Sequence, residues 1–175
     1  MSRRLAALPR DTRGAIAVEY ALLLPAMIAA LLGTVETFGA VQAYGKAVSA
    51  AQTVADLTAR ADVQTAAGMT AIATAAQRVM DPLPSTAETM GIRVESVVFG
   101  STGAPATAWT YTWGSGAAAV PASAAAGLGK PGESVVTVSF RYAHAPLLRD
   151  IFGTLTFREI AVARPRTTRV IPFSG

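Results

Sequence analysis

Cysteine and asparagine are absent from the sequence, and histidine occurs once, at His144. Without cysteine there is no disulfide framework, no thiolate zinc site and no thiol nucleophile. A single histidine excludes a metal site built on two or three imidazoles. Charge is scarce as well. Only 15% of residues are Asp, Glu, Lys or Arg, where an ordinary soluble domain has about 25%. So little charge argues against a disordered chain. Apolar residues fill the gap: 51% of the sequence is hydrophobic and the mean hydropathy is +0.39. Part of the chain is therefore expected in lipid. The length, 175 residues, is about one domain's worth.

The net charge of +4 is unevenly placed. Arg3, Arg4, Arg10 and Arg13 face only Asp11 in the first fourteen residues, a net of +3, and the rest of the chain carries +1. A nucleic-acid surface needs a basic face on the folded domain. None is evident, and no nucleic-acid partner is expected. A short cationic leader ahead of an apolar run instead fits the rule that such segments stay on the cytoplasmic side of a membrane.

That run follows at once. Tyr20–Val35 is sixteen residues without a charge, Glu36 interrupts, and Thr37–Gly45 is uncharged again. As a helix, Tyr20–Gly45 would span ~39 Å, enough for a hydrocarbon core of ~30 Å. Pro25 lies inside it and should kink or loosen the helix by freeing the Ala21 carbonyl. Gly33, Gly39 and Gly45 recur every six residues, so they share no face and form no small-residue dimerisation motif. From Lys46 to about Ala61 the pattern stays helical but is polar on one side, as for a helix that has left the membrane.

The rest predicts a small α+β head. Met69, Ile72, Ala73, Ala76 and Val79 recur at three- and four-residue steps, which predicts a second helix over Thr65–Met80. Asp81-Pro82-Leu83-Pro84 ends it. Alternation then predicts about four antiparallel strands. In Gly91–Phe99, Ile92, Val94 and Val98 alternate with Arg93 and Glu95. Trp109, Tyr111 and Trp113 alternate with threonines. In Ser134–Ala143, Val136, Val138, Phe140 and Tyr142 alternate with polar residues. Thr154–Arg164 is the fourth, with an apolar phase shift that a bulge near Arg158–Glu159 would explain. The segments Gly100–Pro105 and Gly114–Gly132 have the composition of surface loops. The division expected is a leader over residues 1–14, a transmembrane helix over 15–45 and a head over 46–175.

Little of this can carry catalysis. There is no Gly-x-Ser-x-Gly elbow. Gly129-Lys130 is followed by Pro131 where a phosphate-binding loop needs Ser or Thr, and Ala124 stands where it needs Gly. His144 is expected at a strand end. No enzyme activity, cofactor or metal is expected. Trp109, Tyr111 and Trp113 could bind a sugar or another surface, although such a row more often covers the core of a small sheet.

The informative stretch is Arg13-Gly14-Ala15-Ile16-Ala17-Val18-Glu19-Tyr20. Glu19 places a carboxylate at the start of a membrane helix, where a lone charge is costly and calls for a partner or a task. If the chain is cut after Gly14, Ala15 gains an α-ammonium about four helical steps, ~6 Å, from Glu19. In a stack of identical helices the ammonium of one subunit could meet Glu19 of its neighbour. Otherwise Glu19 is a snorkelling residue at the edge of a plain anchor.

Gly14 followed by Glu19-Tyr20 resembles the cleavage motif of prepilins from tight-adherence (Tad, or Flp) pili. The longer stretch from Arg13 through Tyr20 to Ala21-Leu22-Leu23-Leu24-Pro25 is similar to the N-terminus of the TadE/TadG family of pilin-like proteins. Glu36 matches a second acidic position of that family, and the segment from Leu155 to Arg166 is similar to family C-termini. The head lacks the cysteine pair of many members, and Tyr20 stands where Phe is frequent. The resemblance implies that a membrane-embedded aspartic prepilin peptidase removes Met1–Gly14. The mature chain would be a minor pilin or pseudopilin, TadE-like rather than the smaller major pilin, anchored in the inner membrane lipid with its head in the periplasm. Its partners would be other Tad pilins and the assembly platform, and its work would serve adhesion and biofilm formation.

Two other readings fit the residues. In one, Ser2-Arg3-Arg4 opens an export signal that is cut at Val41-Gln42-Ala43. In the other, the chain is a single-span anchored periplasmic binding protein that is never processed.

Overall fold

The computed structural model describes residues 13–174. The expected basic leader lies outside them, apart from Arg13 and Gly14. The chain divides into two compact units, Met1–Gly39 and Ala40–Gly175. A helix, α1, runs over Arg13–Arg60 and so belongs to both. There follow β1 (Gln64–Thr65), α2 (Ala66–Met80), β2 (Met90–Phe99), β3 (Pro105–Gly114), β4 (Ser134–His144), a helical turn α3 (Arg149–Phe152), β5 (Leu155–Ala163) and β6 (Phe173–Ser174). The fold class is α+β, as the periodicities predict.

In the second unit α1 buries Ala43, Ala47, Ala50, Ala51, Val54, Ala55, Thr58 and Ala59. These positions recur at three- and four-residue steps and make one stripe. Nearly all are alanine, so the helix can approach its neighbours closely. The stripe shares a core with Met69, Ala73, Ala76 and Met80 of α2 and with Ile92, Val94, Val136, Val138, Phe140 and Tyr142 of the sheet. Burial pushes the Tyr142 hydroxyl above its ordinary pKa.

α2 begins and ends where its sequence directs. The Thr65 hydroxyl accepts a hydrogen bond from the Gly68 amide at 3.0 Å, the usual N-cap bond. At the other end Lys46 of α1 donates to the carbonyls of Val79, at 3.2 Å, and Asp81, at 2.6 Å. A cation thus satisfies carbonyls that a helix C-terminus leaves without donors.

The four long strands form an antiparallel sheet in the order β3-β2-β4-β5. The short strands β1 and β6 pair in parallel and bring the C-terminal segment beside the end of α1. There Arg166 donates its amide to the Ala59 carbonyl, and its guanidinium meets Asp56 at 2.9 Å.

Two expectations about the strands are corrected. The bulge expected near Arg158–Glu159 is absent, because β4 and β5 keep one register from Val136↔Ala163 to His144↔Leu155. The apolar phase shift in β5 has another cause. β5 is an edge strand, and Ile160 and Val162 face away from the helices and remain exposed. The register shift lies instead between Ser96 and Val97, where β3 has Ala108 in excess.

The second concerns β2, whose second face carries Arg93 and Glu95 but is largely covered. Glu95 and Val97 are buried there, and Val97, Phe99, Val135 and Ala125 form a second small core. The segment between β3 and β4 stays mostly exposed, as expected of a surface loop, but its 3₁₀ turn at Ala122–Ala125 lays the buried Ala125 over this face. A Cβ added at Gly129 would come within 2.2 Å of the Phe99 ring.

Candidate functional site

In the first unit, helix α1 carries the residues singled out by the sequence. Its many Ala and Leu residues favour helix, and the helix runs unbroken through Pro25 and through Gly33, Gly39 and Gly45. Gly14 is exposed, and a Cβ added there would meet nothing within 4 Å. Ala15 lies in the same first turns. Glu19 is exposed, and Tyr20 beside it is 68% exposed. Leu22, Leu23, Leu24, Met27, Ile28 and Leu31 are all exposed as well. Glu36 is half-buried.

The most apolar eighteen-residue window of this helix has a mean hydropathy of 2.0, and none of it is buried in the chain's own fold. Its hydroxyls are provided for within the helix. Thr34 donates to the Ala30 carbonyl at 2.8 Å and Thr37 to the Gly33 carbonyl at 2.7 Å. A helix whose polar groups bond to its own backbone meets the condition that lipid imposes. The helix fits single-pass membrane anchoring.

Glu19 and Glu36 do not form one site. They stand seventeen residues apart, ~25 Å along the axis and about 100° around it. No group of three or more His, Cys, Asp or Glu that could hold a metal occurs among the described residues.

The aromatic row of β3 lies in the head. Trp109, Tyr111 and Trp113 are half-buried against the main core. The Trp109 indole donates to the Ile171 carbonyl at 2.7 Å and its ring lies 5.2 Å from Phe173. The Tyr111 hydroxyl is 3.2 Å from that of Thr70. These contacts tie the sheet to α2 and to the C-terminal segment. His144 ends β4, with its ring 6.5 Å from Tyr142 and 6.4 Å from Phe157.

Two surface features of the head were not foreseen. A groove of about 420 Å³ runs between Val48–Asp56 of α1 and Glu159–Ala163 of β5. At the β4–β5 connection Leu147, Ile151 and Phe152 stand exposed. The second could have been found from the run Pro146-Leu147-Leu148-Arg149-Asp150-Ile151-Phe152, which is too apolar for an ordinary turn.

No curated protein and no solved structure gives a significant match to the chain. A family model does. Residues 14–56, about a quarter of the chain, match the TadE-like protein family, a family of pilus-associated structural proteins.

Proposed function

We propose that the chain is a minor pilin or pseudopilin of the Tad (Flp) pilus system, processed by a prepilin peptidase after Gly14. One observation carries the reading. The TadE-like match begins at residue 14, the residue before the cut that the sequence pattern implies. It then runs through the exposed apolar stretch of α1 into the alanine stripe of the head. The leader stays in the cytoplasm, residues 15–45 anchor the chain in the inner membrane, and the head lies in the periplasm. The working surface is Glu19 with the new Ala15 α-ammonium, and Glu36 farther along. The partners are the peptidase, other Tad pilins, the assembly platform and the lipid itself. The protein is a building block of pilus biogenesis, with adhesion and biofilm formation as the outcome.

Export with cleavage near Ala43 is disfavoured by the fold. Ala43 is fully buried and lies within α1, so that cut would remove the start of a core helix. N-terminal sequencing of the protein recovered from cells separates the readings. A start at Ala15 is expected. A start near Tyr44 supports a removable signal, and an intact Met1 supports a plain anchor. Gly14→Leu should accumulate a precursor about 1.6 kDa heavier, because a peptidase groove that takes a residue without Cβ closely will not take Leu. Normal maturation of that variant would remove the assignment of the cut.

A further inference from the structure

We propose that the tip of the β4–β5 hairpin is a second membrane contact, with Leu147, Ile151 and Phe152 entering the phospholipid bilayer in which α1 is anchored. The proposal rests on the reading of α1 as a membrane anchor. Leu147 is 79% exposed, Ile151 74% and Phe152 54%, within a tip of six residues. Large apolar groups so gathered at a loop tip mark a contact surface.

The direction of β5 identifies the surface they meet. Tyr44 of α1 lies edge-on to Phe157 of β5, with ring centroids 5.7 Å apart. Val48–Asp56 flank Glu159–Ala163 across the groove, and Asp56 reaches Arg166 just beyond the strand. Within the head, then, α1 and β5 advance side by side in the same direction. Followed backwards from Phe157, β5 leads past Tyr44 toward Ala40. Within this unit the hairpin tip therefore lies at the Ala40 end of α1. The opposite end of the sheet carries the β2–β3 turn around Ser101.

Three further features suit lipid. The uncharged run of α1 ends at Gly45, so Tyr44, Phe157 and His144 form an aromatic group at the level of its end, as at a membrane–water boundary. Three backbone donors of the tip are also bonded within it. Ile151 and Phe152 donate to the Leu148 carbonyl at 3.0 and 3.1 Å, and Gly153 donates to Arg149 at 2.7 Å. These bonds lower the cost of bringing Ile151 and Phe152 into an apolar phase. Finally, Arg149 and Asp150 offset one another, 3.9 Å apart. Apolar burial, and not charge, is what the tip offers, which fits the acyl region of a phospholipid bilayer.

The absence of cysteine makes the test direct, since one introduced cysteine is labelled uniquely. The full chain is placed in phosphatidylcholine vesicles containing lipids with nitroxides on the acyl chains. Ile151→Cys, Leu147→Cys, Leu31→Cys and Ser101→Cys are each labelled with an environment-sensitive fluorophore. All four positions are exposed, so none of the substitutions disturbs the core. Labels at 151 and 147 should show blue-shifted, quenched emission like the label at 31, and the label at 101 should show neither. If 31 is quenched while 151 and 147 emit as 101 does, the proposal is wrong and the anchor stands. If 31 is not quenched, the anchor reading fails and the proposal with it. A shift at 151 that disappears as protein is diluted in lipid would mean contact between copies, which also overturns it.

Discussion

Glu95 is buried in the second face of the sheet, with one carboxylate oxygen 2.6 Å from the Arg93 Nε. Its other oxygen, Oε2, has no hydrogen-bond partner among the described residues. Both side chains lie on one face because they are two apart on β2. The sequence shows this alternation, but not that the Gly/Ala-rich segment after β3 would cover the face. Pattern alone therefore reads Glu95 as solvated. Removing one partner of a buried pair costs more than the pair itself contributes, because the remaining charge loses its compensation. Arg93 is partly open to water, which moderates the cost. Arg93→Ala should destabilise the head by about 2 kcal/mol. Glu95→Gln, which removes the charge and keeps the shape, should cost about half as much. Chemical unfolding of the full chain in detergent would measure both. Equal, negligible effects would mean that the pair is not isolated from solvent.

Lys46 shows how one side chain can serve two elements. It is the first charge after the apolar run of α1, and its ammonium holds the end of α2. Lys46→Met keeps the aliphatic stem but leaves the Val79 and Asp81 carbonyls without that donor. Amide exchange over the last turn of α2 should then speed up about tenfold, the equivalent of ~1.4 kcal/mol, while exchange at the sheet centre stays unchanged. An unaltered last turn would show that water replaces the ammonium without loss. Elements with their own periodicity were legible in the sequence. Both long helices and all four long strands lie where alternation and three- or four-residue steps place them, with Thr65 and Asp81 bounding α2. Three features that depend on distant partners were not. The register shift at Ser96/Val97 is set by how β3 pairs with β2. β1 and β6 exist only because the C-terminal segment returns to the end of α1. Ile160 and Val162 on the outward face of β5 stay exposed because the small core on that side of the sheet takes in no β5 residue, a property of the packing and not of the strand's own pattern.

The residues of the candidate site stand out in the sequence, because a carboxylate in an otherwise apolar helix is visible without any fold. Among the described residues nothing buries the helix near Glu19, which suits the proposal that its partner comes from another molecule or from a new N-terminus. If the chain is cut after Gly14 as proposed, the Ala15 α-ammonium is ~6 Å along the axis from Glu19. Within one helix the pair would stay open to lipid, whereas between adjacent helices each charge compensates the other, which makes assembly the state that lowers the cost of both. Glu36 is placed differently: it is half-buried and ~25 Å farther along. Glu19→Ala should therefore insert normally, since it removes a charge from a lipid helix, and should still be processed, yet fail to co-purify with the other pilins. Glu36→Ala should co-purify at a reduced level. Glu19→Gln keeps the hydrogen-bonding shape without the charge, and should fail as Glu19→Ala does if charge pairing is what assembles the helices. Co-purification of the Glu19 variants at the parent level, with loss only in the Glu36 variant, would exclude pairing with the ammonium and move the assembly contact to the outer end of the span.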